Sequence, residues 1–187
     1  MKELSLNILD IAQNSVKAKA SCIEINLDET DSTLSISIKD DGCGMTSEQT
    51  ANVTDPFFTT RTTRNVGLGV PLLKLAAEQT GGELNISSSV SPENHGTVIE
   101  AVFNKNHIDF TPLGDIVSTV TLLIQGAPDT EWKFTHRTGE GVVSLDTAEL
   151  REVLGDVPLD SYEVVRWMED YLREGYSDIN YNLKQSE

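Results

Sequence analysis

Cysteine is scarce in this sequence, with Cys22 and Cys43 the only two among 187 residues. A disulfide-stapled fold needs several cysteines at regular spacings, and a zinc ribbon needs CxxC pairs, so both classes are excluded. Long apolar runs are also missing: no stretch approaches the roughly 20 residues that cross a bilayer. The start, "MKELSLNILDIAQNS", turns polar too early for a secretory leader. The sequence therefore predicts a soluble, cytoplasmic protein with no membrane partner.

Basic residues are few as well, with 14 Lys and Arg against 30 Asp and Glu. Residues 1–106 carry 14 acidic and 8 basic side chains, a net charge of −6, and residues 107–187 carry 16 and 6, a net charge of −10. Proteins that bind nucleic acid usually present a basic surface, so we expect no nucleic-acid partner. The acidic second half is either a solvated surface or a docking surface for a basic partner.

Apolar and polar residues alternate in six segments, which is the pattern of half-buried strands. These segments are residues 22–28, 33–39, 83–89, 97–103, 130–136 and 141–146. Helical periodicity predicts helices over residues 3–18, 70–80, 113–125, 146–154 and 161–174. Residues 46–66 are rich in Thr and Asn without a clear period, which is typical of a long loop that is either functional or disordered. We expect two units, residues 1–106 and a smaller acidic α/β unit over 107–187.

The first predicted helix has an unusual distribution of polar residues. Glu3, Asn7, Asp10, Asn14 and Lys17 fall on one narrow stripe, while apolar residues occupy the rest of the circumference. One interpretation is that the stripe faces solvent. The other is that it faces a ligand, because amide and carboxylate oxygens suit Mg²⁺ and a lysine suits phosphate.

Three glycine-containing stretches lie at the ends of predicted elements. They are "KDDGCGM" after a strand, "NVGLGVPLLK" before a helix and "HGTV" at the start of a strand. Glycine lets a ligand approach the backbone closely, and a helix N-terminus offers free N–H groups to phosphate. Each stretch alone is equally typical of a tight turn or a capping loop. Neither the GxxxxGK[ST] nor the GxGxxG phosphate loop is present.

The order of these stretches resembles the GHKL superfamily, which contains DNA gyrase, heat-shock chaperones, histidine kinases and mismatch-repair clamps. "DIAQNSVKAKA" resembles the N box, "DDGCGM" the DxGxG box, "DPFFTTR" the F box, "GLG" the second glycine box and "GT" the final one. "ILDIAQNS", "DPFFTTRTTR" and "PLGD" are also similar to stand-alone ATP-binding proteins of anaerobic bacteria. The resemblance implies a Bergerat-type α/β sandwich, a mixed sheet with helices on one face.

The resemblance also implies two cofactors, ATP and Mg²⁺, and a role for each box residue. Asn14 would bind Mg²⁺ and Lys17 would lie near phosphate. Asp40 would accept a hydrogen bond from the adenine amine. The other cofactor-binding residues would be Gly42, Gly44, Met45, Gly67, Leu68, Gly69 and Thr97. Residues 46–66 would form the lid over ATP, with Arg61 and then Arg64 reaching the γ-phosphate.

Departures from the family pattern bear on the activity. Asp10 stands where histidine kinases have Asn and where gyrase has Glu, so it is a candidate general base, shorter by one methylene than Glu. The N box begins within ten residues of Met1, so self-phosphorylation in the usual histidine-kinase arrangement is not expected. His136 in "FTHR" is interpreted as a surface histidine. Tyr162, Trp167 and Tyr171 are either core residues, which their spacing favours, or a docking stripe.

Two functions remain open at this point. The first is a Mg²⁺-ATP-dependent phosphotransferase that acts in trans on an unidentified protein, with Asp10, Lys17 and Arg61 as catalytic residues. The second is a nucleotide-gated binding module, in which ATP orders the lid and creates a partner surface. Self-association as a homodimer stays open.

Overall fold

The computed structural model describes residues 3–54 and 68–183. Its helices are α1 (Leu4–Lys17), α2 (Ser47–Asn52), α3 (Gly69–Gln79), α4 (Ile116–Gly126), α5 (Thr147–Leu154) and α6 (Tyr162–Asp178). Its strands are β1 (Cys22–Glu29), β2 (Thr33–Asp40), β3 (Glu83–Ser89), β4 (Gly96–Asn104), β5 (Glu131–Arg137) and β6 (Val142–Asp146). All six predicted strands and all five predicted helices are present. None of the helices within these ranges is long and apolar enough to cross a bilayer.

The strands form one mixed sheet in the order β3-β4-β2-β1-β5-β6. The pairs are antiparallel except for β1 with β5, which run parallel. Alternate residues of the strands point into a common core, and α3, α1, α4 and α6 contact one another in the same order as the strands. The mixed sheet with its layer of helices confirms the predicted fold class.

The sheet runs across the expected boundary at residue 106. Strand β5 comes from the second half of the chain, and it pairs with β1 from Cys22↔Glu131 to Asp28↔Arg137. Helix α4, also from the second half, packs against α1. The two parts therefore share one sheet and one core, and a division at residue 106 stays a prediction about separate roles.

Helix α2 lies inside the segment that the sequence predicts to be an irregular loop. It begins with a capping box, in which Gln49 N–H donates to Thr46 Oγ1 and Thr46 N–H donates to Gln49 Oε1. The pattern Thr-x-x-Gln was a readable signal for a helix start. The rest of the predicted lid, residues 55–66, lies outside the described residues.

The interpretation of His136 as a surface histidine is wrong, because its side chain is 0% exposed. Its ring lies on the inward face of β5 after Trp132 and Phe134, which alternation along the strand requires. Nδ1 lies 2.9 Å from the hydroxyl of Tyr176, and Nε2 lies 3.1 Å from Oε2 of Glu29. The histidine is therefore part of a buried polar cluster.

Glu29 lies at the centre of this cluster. Besides His136, it contacts Lys105 Nζ at 2.7 Å and accepts a hydrogen bond of 2.8 Å from the hydroxyl of Tyr181. Burial alone raises the pKa of the Glu29 carboxyl, but the hydrogen bonds from His136, Lys105 and Tyr181 outweigh burial and hold that pKa at about 2. Burial and the neighbouring carboxylate raise the pKa values of Tyr176 and Tyr181 far above their ordinary range, so both phenols stay protonated.

The preference for core packing of the α6 aromatics is also wrong. Tyr162, Trp167 and Tyr171 are 71%, 49% and 45% exposed. The buried face of α6 is formed instead by Val164, Met168, Leu172 and Tyr176, which are spaced by four residues. The three aromatic side chains therefore lie outside the buried face of the helix.

Candidate functional site

The polar stripe of α1 meets the first turn of α3. The side-chain amide of Asn7, which is 3% exposed, donates to the carbonyl of Gly69 at 3.3 Å. The backbone N–H of Gly69 donates to Asp10 Oδ2 at 2.7 Å. An added Cβ at Gly69 would lie 2.6 Å from that same oxygen, so only glycine allows this approach. The Asp10 carboxylate thus lies against the positive end of a helix.

Asn14 and Lys17 lie further along the same stripe. Asn14 is half-buried and Lys17 is exposed. Over residues 3–54 and 68–183, neither side chain has a hydrogen-bond or ion-pair partner. One end of the stripe is therefore used to hold α3, and the other end leaves an amide and an ammonium group available.

Asp40 closes the second side of this region at the end of β2. Its Oδ2 accepts a hydrogen bond of 2.5 Å from Ser15 Oγ, and its Oδ1 accepts one of 2.9 Å from Gly42 N–H. Ser15 is buried on α1, directly after Asn14. Ser15 was not among the residues predicted for the site, although it directly follows Asn14 in the segment that resembles the N box. The two bonds fix the carboxylate against α1 and leave it with further lone pairs.

Gly44 and Gly96 allow the loop after β2 to approach the β3–β4 hairpin. Gly44 has φ +69°, and a Cβ there would lie 1.8 Å from the carbonyl oxygen of Ser89. A Cβ at Gly96 would lie 2.1 Å from the carbonyl oxygen of Asp40. Glycine is required at both positions, as the DxGxG interpretation expects for the second of its two glycines.

Ser88 ties the loop to the predicted final box. Its hydroxyl accepts from Met45 N–H at 2.8 Å, donates to the carbonyl of Gly96 at 2.9 Å and lies 2.8 Å from Thr97 Oγ1. Since the serine hydroxyl has one proton, Thr97 is the donor in the last bond. Thr97 also pairs with Asp40 across β4 and β2. Met45, Thr97 and Asp40 are therefore brought together, through a serine that the sequence analysis did not single out.

The remaining predicted residues divide into two groups. Gly42 is buried beside Asp40, and Leu68 is an exposed residue that precedes the first turn of α3. Arg61, Arg64 and Gly67 lie outside the described residues. The described part thus places Asp10 at the start of α3 and Asp40 against α1, with Asn14 and Lys17 on the same helix, and the roles of these residues stay predictions.

Comparison with known proteins gives the family to which residues 2–107 are similar. Residues 2–107 match the family model for histidine kinase-, DNA gyrase B- and HSP90-like ATPases. A putative sensor protein of Shewanella frigidimarina is 31% identical over 104 residues, which cover 55% of this chain and 15% of that protein. Sporulation kinase C of Bacillus subtilis is also 31% identical over 104 residues, covering 54% of this chain and 23% of the kinase. The chain thus spans less than a quarter of these relatives.

Among solved structures, the N-terminal domain of a DNA repair protein superposes with a TM-score of 0.53. The superposition covers 78% of this chain and 52% of that one, at 15% sequence identity, which establishes a shared fold. The family match extends over more than half of the sequence and includes every residue of the site described above. The chain belongs to the family of histidine kinase-, DNA gyrase B- and HSP90-like ATPases.

Proposed function

We propose that this chain binds Mg²⁺-ATP and transfers the γ-phosphate in trans to a serine or histidine of a partner protein. The observation that carries the proposal is the alignment of one face of α1 with the Asp40 loop. Ser15 on α1 holds the Asp40 carboxylate, while Asn14 and Lys17 of the same helix are without partners among the described residues. One helix thus contacts the Asp40 loop and carries an amide and an ammonium group directly beside that contact.

The Asp40 end suits an adenine base. The carboxylate has lone pairs beyond those used by Ser15 and Gly42, so it can accept from an exocyclic amine. Gly44 and Gly96 hold the loop after β2 against the β3–β4 hairpin, and the Ser88 hydroxyl is already engaged. The surface therefore offers one anionic acceptor among uncharged groups, which favours an amine-bearing base.

The polar stripe of α1 suits a metal-bound triphosphate. Asn14 supplies a hard oxygen ligand, Lys17 a positive charge, and the first turn of α3 lies across the stripe. No group of three or more His, Cys, Asp or Glu side chains gathers within the described ranges. A Mg²⁺ ion here would accordingly be held by Asn14 together with phosphate oxygens and water. When bound, Mg²⁺ neutralises negative charge on the phosphates.

In phosphotransfer, the bond from the γ-phosphorus to the bridging oxygen breaks, a bond to the acceptor oxygen or nitrogen forms, and ADP leaves. A serine acceptor must also lose its hydroxyl proton. Asp10 Oδ2 accepts from Gly69 N–H, and Oδ1 has no partner within the described residues. We assign Oδ1 of Asp10 as the proton acceptor.

Asp10→Asn is expected to retain nucleotide affinity and to lower turnover by about 100-fold or more. The amide oxygen of asparagine can still accept from Gly69 N–H, so the fold of the site is preserved, but an amide is not a base. The measurement is transfer of label from γ-labelled ATP to proteins encoded in the same operon, beside a calorimetric titration with ATP. Asp10→Glu should recover part of the activity.

Unchanged turnover in Asp10→Asn would remove Asp10 from the mechanism. ATP-dependent co-purification of a partner without labelling would favour the binding-module alternative.

Asn14→Ala is expected to weaken binding of Mg²⁺-ATP by about tenfold or more, since losing even an outer-shell partner of a metal costs about that much. Binding of ATP in the presence of a chelator should change little, because the lost ligand acts through the metal. Calorimetry with and without Mg²⁺ measures both affinities. Gln13→Ala, at an exposed neighbouring position of α1, is the matched control. Equal losses with and without the metal would contradict a metal-ligand role.

A further inference from the structure

Helix α6 presents an aromatic surface that no other element covers within residues 3–54 and 68–183. Its buried residues recur every four positions from Val164 to Tyr176, and this face packs against α4 and β6. Trp167 and Tyr171 lie outside that face, and their rings are stacked with centroids 5.1 Å apart and planes inclined by 14°. Stacking shields one face of each ring and leaves the outer faces available. A face of an aromatic ring carries partial negative charge and attracts cations.

Three carboxylates surround this stacked pair. Residues three and four positions apart are neighbours on a helix surface, so Glu163 and Asp170 flank Trp167, and Glu174 flanks Tyr171. All three acids are exposed, and no ion pair involves any of them in the described part of the chain. We call Glu163, Trp167, Asp170, Tyr171 and Glu174 the aromatic–acidic face.

The arginines of α6 do not neutralise the aromatic–acidic face. Arg173 forms its ion pairs with Glu169 and Asp115. Arg166 is a helix neighbour of Glu163 and Asp170, but it donates to the hydroxyl of Tyr162 at 3.4 Å and forms no ion pair with either acid in the described part of the chain. The three carboxylates of the face are therefore left without an ion pair among the described residues.

We propose that the aromatic–acidic face docks a basic segment of a partner protein, with an arginine or lysine stacked on Trp167 or Tyr171 and paired with the flanking carboxylates. A ring face contributes attraction to a cation, and adjacent carboxylates add charge complementarity. A second copy of this chain is a poor occupant, because the protein has a net charge of −16 and joining two such faces would bring their carboxylates together. The surface lies outside the nucleotide region, so the inference does not depend on the proposed phosphotransfer.

Tryptophan fluorescence of the full chain, without nucleotide, provides the test. The chain has two tryptophans: Trp132 is 2% exposed and bonded to the carbonyl of Ala127, so Trp167 reports on the surface. The probe is a ten-residue peptide of arginine, leucine and serine, and the matched control peptide carries neutral citrulline in place of each arginine. We expect saturable quenching by the arginine peptide and at least a fivefold weaker effect from the citrulline peptide. Absence of saturable binding, or equal binding of both peptides, would overturn the proposal.

Two pairs of variants separate a defined face from general acidity. Asp170→Asn with Glu174→Gln should lower affinity for the arginine peptide by about fivefold. Glu149→Gln with Glu152→Gln on α5 removes the same charge elsewhere and should change affinity by less than about twofold. Trp167→Ala with Tyr171→Ala, followed by calorimetry, should abolish binding while the melting temperature is kept, since both side chains are about half exposed and lie outside the buried face of α6. Equal losses in the two acid pairs, or self-association of the chain that Trp167→Ala reverses, would contradict docking of a basic segment.

Discussion

Glu29→Ala is expected to lower the free energy of unfolding at pH 7 by about 3 kcal/mol. Removing one partner of a buried ion pair costs roughly 3 to 5 kcal/mol, because the other charge is left without compensation. The Glu29 side chain is 9% exposed and that of Lys105 is 21% exposed, so the lower end of this range applies. His136 and Tyr181 lose a hydrogen-bond partner in the same change. Chemical denaturation followed by circular dichroism measures the difference.

The same interaction predicts a dependence of stability on acid. The pKa of the Glu29 carboxyl is about 2 in the folded protein, against an ordinary value of 4.5, so the folded state favours the carboxylate. Its contribution is complete above pH 4.5 and is lost as the pH falls from there towards pH 2. A difference of this size corresponds to about 3 kcal/mol. The gap in stability between wild type and Glu29→Ala should therefore shrink steadily over that interval.

Glu24→Ala provides the matched control on the same strand. Glu24 pairs with Lys39 at 3.2 Å on the exposed side of the sheet, and such pairs contribute at most about 1 kcal/mol. If Glu29→Ala and Glu24→Ala have the same free energy of unfolding, the buried cluster has no special role. A gap between wild type and Glu29→Ala that stays constant down to pH 2 would lead to the same conclusion.

The cluster also explains why the two halves of the chain form one sheet. Glu29 and Lys105 come from the part that matches the ATPase family, whereas His136, Tyr176 and Tyr181 come from the part that follows it. The simplest assignment places the proton of neutral His136 on Nε2, which donates to Glu29, while Nδ1 accepts from Tyr176. Every polar group is then satisfied, with one negative and one positive charge. The cluster thus ties the second half to the first through buried hydrogen bonds.

The elements of this fold could be predicted from the sequence because their patterns are local. Alternation in "TLSISI" and in "EWKFTHR" is a property of neighbouring residues, and both segments are strands. The same alternation placed His136 on the inward face, so its burial was readable. Pairing of β5 with β1 was not readable, because it joins strands about a hundred residues apart that no periodicity connects.

For the candidate site as well, the residues could be predicted from the sequence but their contacts could not. The resemblance located Asp40 and Gly44, and the helical stripe located Asn7, Asp10 and Asn14. Their partners could not be inferred, since Asn7 and Asp10 both contact Gly69 and the separations along the chain are 62 and 59 residues. The first half of the stripe therefore anchors α3, and the choice between a solvent face and a ligand face concerns only Asn14 and Lys17.

Asp40→Asn is expected to weaken ATP binding by about 30- to 150-fold, the largest effect on affinity among these variants. A hydrogen bond to a charged acceptor contributes about 2 to 3 kcal/mol, and each 1.4 kcal/mol is tenfold in Kd. Gly42 N–H holds Oδ1, so the new amide replaces Oδ2, where Ser15 can accept from it in place of donating. The fold of the loop is preserved, but a donor replaces the acceptor that an adenine amine needs. Calorimetric titration with ATP measures the loss.

Base discrimination separates this role from a general disturbance of the site. Inosine triphosphate has a carbonyl oxygen where ATP has its amine, so wild type should prefer ATP, and Asp40→Asn should lose that preference. Ser15→Ala removes the hydroxyl that fixes Oδ2 and leaves the carboxylate, so affinity should fall by about tenfold while the preference for ATP remains. Ser5→Ala serves as the control, because Ser5 is a buried serine of the same helix whose hydroxyl bonds Glu3 and not Asp40. If Asp40→Asn weakens ATP and inosine triphosphate equally, the carboxylate does not contact the base, because a direct contact with the amine must distinguish the two nucleotides.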